Sequence, residues 1–173
     1  MNKLNIVEGL PCTGKNTAWA VRPMTEEEYP CLAELLYEAI FIPPGVDPPP
    51  REIIEKPELQ VYISGFGKRK GDYALAAVAE GRIVGAVWTR IMNDYGHIDD
   101  ETPSFAISLY KEYRGRGIGT ALMQEMLVLL RRAGYKRASL AVQKENYAVK
   151  MYKKVGFETA GENDEEYIMV CKL

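Results

Sequence analysis

The chain has 173 residues, 47% of them hydrophobic and 27% charged, with a net charge of −2 and a pI near 5.6. That balance fits one domain with one core, and it excludes a wholly disordered chain and an electrostatic nucleic-acid binder. Three cysteines (Cys12, Cys31, Cys171) match no zinc spacing and read as reduced thiols, no apolar run reaches the ~20 residues of a membrane span, and Met1–Pro11 lacks a signal core, so a cytoplasmic protein without membrane or nucleic-acid partners is expected.

The N-terminal stretch differs from the rest. Gly9-Leu-Pro-Cys-Thr-Gly14-Lys15-Asn16 has the G-x-x-x-x-G-K spacing of a P-loop. Asn16, however, stands where Ser or Thr ligates Mg²⁺, and Pro23 follows too soon for the long helix such a loop requires. Residues 1–18 are therefore read as an atypical leader with a degenerate P-loop-like string, and 19–173 as the domain. Trp19–Arg22 is a first strand. Thr25 and Glu28 form a capping box ahead of Leu32, Leu35, Leu36, Ala39 and Ile40 at helical spacing. The helix stops before Pro43, because residues 42–50 hold five prolines and read as an extended linker. A short helix over Pro50–Lys56 ends at Pro57.

Tyr73–Ala79 and Ile83–Met92 are strands joined by a hairpin at Glu80-Gly81, and Asn93–Gly96 is a turn. In the strand Phe105–Leu109, Phe105, Ile107 and Leu109 face one way and Ala106 and Ser108 the other. A glycine loop opens a helix over Gly117–Ala133, with Ile118, Leu122, Met126 and Leu129 on its apolar face and Gly134 as C-cap. Arg137–Val142 is a strand, Asn146–Val155 a helix closed by Gly156, and Tyr167–Leu173 a last strand. The order gives an α/β fold, a mixed sheet with helices on both faces.

Arg114-Gly115-Arg116-Gly117-Ile118-Gly119 lies between a strand and a helix, where unpaired N–H groups and the positive end of the helix dipole favour an anion. One reading is a loop whose glycines only turn the chain. A dinucleotide fingerprint is a second, but its G-x-G-x-x-G spacing fails here. The third is the Q/R-x-x-G-x-G/A loop that holds the pyrophosphate of coenzyme A, which Arg114, Gly117 and Gly119 match position for position. Here the chain resembles the GNAT superfamily of N-acetyltransferases. Phe105–Leu122 is similar to that family's fourth strand, loop and third helix, with Lys111 replacing the usual turn proline. Asn146, Ala148, Tyr152 and Gly156-Phe157 follow at the family's spacing.

The resemblance implies the GNAT fold, with a mostly antiparallel sheet of six to seven strands, and transfer of an acetyl group from acetyl-CoA to a primary amine, with no metal. The N–H groups of Arg114, Gly115, Arg116, Gly117, Ile118, Gly119 and Thr120 would cradle the pyrophosphate. Pantetheine would lie along Ile107, Ser108 and Leu109, with Asn146 bonding it. The free N–H of Leu109 would meet the oxyanion. Tyr152 matches the general acid, against the alternative of a packing tyrosine. A carboxylate before the fourth strand would deprotonate the amine. Glu101 is preferred over Asp99, Asp100 and His97, against the alternative of a solvated acidic turn. Residues 25–71 would build the acceptor site, and relatives are often homodimers; Tyr37, Phe41, Tyr62 and Phe66 in that region read mostly as core packing, against the alternative that they line an apolar acceptor pocket. A non-catalytic acyl-CoA-sensing domain is the competing reading.

Overall fold

The computed structural model describes residues 7–8 and 18–173. The P-loop-like string at 9–17 lies outside the described residues. The strands are β1 (Val7–Glu8), β2 (Trp19–Pro23), β3 (Tyr73–Ala79), β4 (Arg82–Arg90), β5 (Ser104–Leu109), β6 (Arg137–Gln143), β7 (Glu158–Glu162) and β8 (Glu166–Lys172). The helices are α1 (Cys31–Ala39), α2 (Pro57–Gln60), α3 (Ile118–Arg132) and α4 (Ala148–Lys154). Arg51–Glu55 and Lys111–Tyr113 form short 3-10 turns.

All strands join one mixed sheet in the order β1-β2-β3-β4-β5-β6-β8-β7. The pairs from β1 to β5 are antiparallel, as are β6–β8 and β8–β7. Among the described residues only β5 and β6 run parallel, and they pair only at Ser104↔Ser139. The sheet is thus two antiparallel blocks that touch at one end of their shared boundary.

Period-two alternation along the strands builds a core on each face. Phe105 and Leu109 pack with Leu122, Met126, Leu130 and Phe157 on the α3 and α4 side. Ala76, Ala86 and Trp88 pack with Leu32, Leu35 and Leu36 of α1 on the other. The expected split of β5 side chains between the faces is observed. The buried stripe of α3 runs through Met123, Met126 and Leu130, leaving Leu129 on its flank rather than at its centre.

Several boundaries differ from expectation for local reasons. Pro57 does not merely end the preceding turn. It occupies the first position of α2, where its missing N–H costs nothing. The strand β7, absent from the sequence reading, is an edge strand with most of its residues exposed, so no apolar alternation marks it. At the β3–β4 hairpin, Glu80 (φ 52°) and Gly81 (φ 74°) both take the left-handed conformation of a two-residue turn.

Candidate active site

The parting of β5 from β6 exposes backbone. The Tyr110 N–H donates to the Val84 carbonyl at 3.0 Å. The antiparallel ladder alternates from that point, so the N–H and C=O groups of Ile107 and Leu109 turn away from β4 toward the gap. Near the closed end, the Ser139 N–H donates to the Pro103 carbonyl at 2.9 Å. Beyond it the strands separate, and a cavity of about 890 Å³ lies against the β5 side of the gap. Its walls are the end of α1 and the proline segment (Glu38, Phe41, Pro43, Pro48), Ile107–Leu109, the loop before α3 (Arg114, Gly115, Gly117), Gly119 and Thr120 of α3, and Asn146, Met151 and Tyr152 at α4.

The glycine loop is shaped by different demands at different positions. Gly115 and Gly117 take left-handed φ values of 71° and 82°, and a side chain at either would point into open space. Gly119 sits inside α3, where a Cβ would lie 3.2 Å from Met151 Sδ, so this glycine lets α3 and α4 approach. The Ala121 N–H donates to the Gly117 carbonyl at 3.1 Å, which leaves the N–H groups of Ile118, Gly119 and Thr120 as the helix's unpaired donors. The Ile118 side chain is fully buried and anchors this end of the helix.

Neither arginine of the loop is simply a charge at the rim. Arg114 Nε donates to the Leu109 carbonyl at 2.9 Å, and its Nη2 reaches the Glu38 carbonyl at 3.3 Å and Glu38 Oε2 at 3.8 Å. It therefore braces the loop against β5 and α1. The Arg116 guanidinium lies over the Tyr113 ring, 5.3 Å from its centroid. The Ser108 hydroxyl is buried and donates to the Leu35 carbonyl at 2.6 Å, pinning α1 to β5 and leaving only backbone to serve the gap.

Asn146 Oδ1 accepts the Ala148 N–H at 2.9 Å and so caps α4, and the residue lines the cavity. Tyr152 is buried against Phe157 (ring centroids 6.2 Å apart) yet still lines the cavity. Burial pushes its phenol above the ordinary tyrosine value, with a smaller contribution from Tyr147.

A second cavity of about 320 Å³ adjoins the first, and Ile107, Asn146, Tyr152 and Phe41 line both. Leu36, Leu59, Tyr62, Tyr95, Gln143 and Glu166 are among its other walls. Of the expected aromatics, Tyr37, Phe41 and Tyr62 face the two cavities, whereas Phe66 belongs to the core, edge-on to Tyr29. Three large apolar side chains are notably exposed: Val46 and Tyr147 at the larger cavity and Tyr95 at the smaller.

The acidic turn before β5 lies elsewhere. Glu101 is exposed and lines neither cavity, and its N–H donates to Asp99 Oδ1 at 2.9 Å. Asp99 pairs with Arg137, and His97 Nδ1 donates to the Met92 carbonyl at 2.8 Å. The structure does not bring this turn together with Tyr152. Sequence reasoning also missed Gly85, which faces Leu109 across the ladder. A Cβ there would lie 2.2 Å from Leu109 Cδ2, and a glycine inside a strand is the signal that marks such close approach.

Comparison with known proteins agrees with this geometry. The model of the acetyltransferase (GNAT) family matches residues 33–157. A mycothiol acetyltransferase of Saccharomonospora viridis is 33% identical over 99 residues, 55% of this chain, and the match spans about a third (32%) of that relative's length. The GNAT domain of S. lividans PAT superposes with a TM-score of 0.67 at 16% identity, over 97% of each chain. PaiA N-acetyltransferase from Thermoplasma acidophilum, solved in complex with coenzyme A, superposes at 0.64 with 20% identity, over 90% of this chain and 99% of that one. The two structural likenesses establish the fold, and the family match over 33–157, more than half of the chain, places the chain in the GNAT family of acetyltransferases.

Proposed function

We propose that the protein transfers an acetyl group from acetyl-CoA to a primary amine by direct attack, with Tyr152 as general acid. The observation that carries this reading is the gap between β5 and β6, where the ladder turns the Leu109 N–H away from β4 and Leu109 and Tyr152 line one cavity. The unpaired N–H groups at Ile118, Gly119 and Thr120, with Gly115 and Gly117 open above them, fit a pyrophosphate. The edges of Ile107 and Leu109 fit an amide-bearing arm laid down as an added strand, and Asn146 stands across the gap from them.

In the transfer, the amine nitrogen bonds to the thioester carbonyl carbon. The Leu109 N–H donates to the oxygen as it becomes an oxyanion. The C–S bond then breaks, and the leaving sulfur takes the Tyr152 proton. The amide nitrogen sheds its extra proton, which restores the phenol through solvent. A phenol held above the ordinary value of about 10 is protonated throughout the physiological range and available to donate.

Thermal unfolding tests the cosubstrate site. Acetyl-CoA at about 100 times its Kd should add roughly 2.7 kcal/mol, a rise on the order of 5–10 °C in Tm, whereas Mg-ATP should give no comparable shift. Release of free coenzyme A thiol in the presence of amines then separates an enzyme from a domain that only binds acyl-CoA. No shift with saturating acetyl-CoA overturns the reading.

A further inference from the structure

The smaller cavity holds a carboxylate for which the family motifs provide no role. Glu166 opens β8 and pairs across the ladder with Gln143 of β6, so both side chains project on the same face. Gln143 Nε2 donates to Glu166 Oε1 at 3.3 Å, the Asn163 side chain also stands by the carboxylate, and among the described residues no ion pair engages it. The contrast with its neighbour is informative, since Glu162 pairs with Lys144 while half-buried Glu166 has no cation of its own. An ammonium group arriving in the cavity would supply one.

We propose that Glu166 receives the acceptor's ammonium group and takes its proton, and that the acceptor is a small primary amine on an apolar or aromatic body. This rests on the acetyl-transfer reading and names the acceptor side of the same site. The cavity is at the small end of the range for ligand sites, ~300–1,000 Å³. Leu36, Ile40, Phe41, Ile53 and Leu59 supply apolar wall, and Tyr62 and Tyr95 supply rings. Because Tyr152 and Ile107 line this cavity and the larger one, an amine beside Glu166 enters on the side from which the carbonyl is reached.

The charged and titratable groups around Glu166 are few. Lys56 and Glu58 stand exposed at the start of α2, Tyr62 is tied to Asp94 at 2.9 Å, and Tyr95, Tyr152 and the neighbouring Glu165 complete the set. Burial, then the charge of Glu165, pushes the Glu166 carboxyl above the ordinary glutamate value against a smaller opposing hydrogen bond from Asn163, which makes it a stronger base than an exposed carboxylate. The proton step balances: R–NH₃⁺ and the carboxylate become R–NH₂ and the carboxylic acid, the amine attacks, and the acid later returns its proton to solvent.

The experiment measures thiol release from acetyl-CoA across pH 5–9 with phenethylamine, spermidine and an alanine-initiated hexapeptide. It compares wild type, Glu166→Gln, Glu165→Gln and Glu101→Gln, with acetyl-CoA binding followed separately by calorimetry. Phenethylamine should be the best acceptor. Glu166→Gln should lower its kcat/KM about 100-fold or more and replace the acid limb of the profile with a continuous rise toward the amine's own pKa of about 10, with acetyl-CoA affinity intact. Glu165→Gln should keep that limb. Preference for spermidine or the peptide overturns the acceptor class. Glu166→Gln activity within threefold of wild type, or loss of the acid limb in Glu101→Gln instead, overturns the role of Glu166. Acetyl-CoA binding without transfer to any of the three amines overturns the acceptor assignment alone, whereas failure to bind acetyl-CoA removes the reading beneath it.

Discussion

Tyr152 is the residue on which the proposed chemistry turns. It lines the cavity while its ring is packed against Phe157, so removing the oxygen alone should leave the fold and the cosubstrate site in place. Tyr152→Phe is expected to lower kcat about 10²–10⁴-fold, with the calorimetric Kd for acetyl-CoA within twofold of wild type. The sign of the pH effect follows from the raised phenol. The acid form is active and is lost only as pH rises through a value above about 10, so Tyr152 causes no decline in kcat between pH 7 and 9. Gly85 acts more indirectly. Gly85→Ala places a methyl where Leu109 Cδ2 and the Ser108 carbonyl now lie, and should weaken acetyl-CoA binding about tenfold or more by displacing β5, measured by calorimetry.

Among the elements, the start of α3 is the most tightly specified. Gly117→Ala puts a Cβ on a left-handed residue, at a cost of about 1–2 kcal/mol, which should appear as a Tm lowered by a few degrees together with weaker acetyl-CoA binding. This element was legible in the sequence because its requirements are local: glycines at fixed offsets, a strand before and an apolar stripe after. Asn146 and Tyr152 were singled out by the family's spacing ahead of Gly156-Phe157, and the structure sets both at the cavity wall, one capping α4 and one buried on it. By contrast, β7 was not, since Glu-Thr-Ala-Gly-Glu at an exposed edge carries no burial pattern. Nor was Glu166. A charged residue after Asn163-Asp164-Glu165 reads as turn until pairing with Gln143 turns it toward a cavity. Glu101 shows the converse: its place in the sequence suggested the site, but it lines neither cavity, and its turn is tied to Arg137 through Asp99.

At the scale of the whole molecule, long-range polar contacts hold the segment after α2 against the sheet. Arg90, fully buried, makes two 2.8 Å bonds to Asp72 and reaches the Val61 and Ser64 carbonyls at 3.1 and 2.7 Å, so it ties β4 to the segment that follows α2. Arg90→Met should cost about 3–5 kcal/mol, because it strands a buried carboxylate, and should lower Tm on the order of 10 °C. Burial pushes the Asp72 carboxyl up, but Arg90 and the N–H groups of Arg69 and Gly67 outweigh it and hold the group below its ordinary value. Its contribution is therefore present above the unfolded carboxylate value of about 4 and is lost as pH falls through the lower folded value. The acid-unfolding midpoint should rise in Arg90→Met. The single bridge between β5 and β6 has a further consequence. Because the amides of Ile107 and Leu109 lack a strand partner, they should trade hydrogen for deuterium orders of magnitude faster than those of Ala106 and Ser108 on the same strand. Acetyl-CoA should slow them selectively, so that the cosubstrate serves as the missing rung joining two half-sheets, and the free protein is left with a seam along its middle.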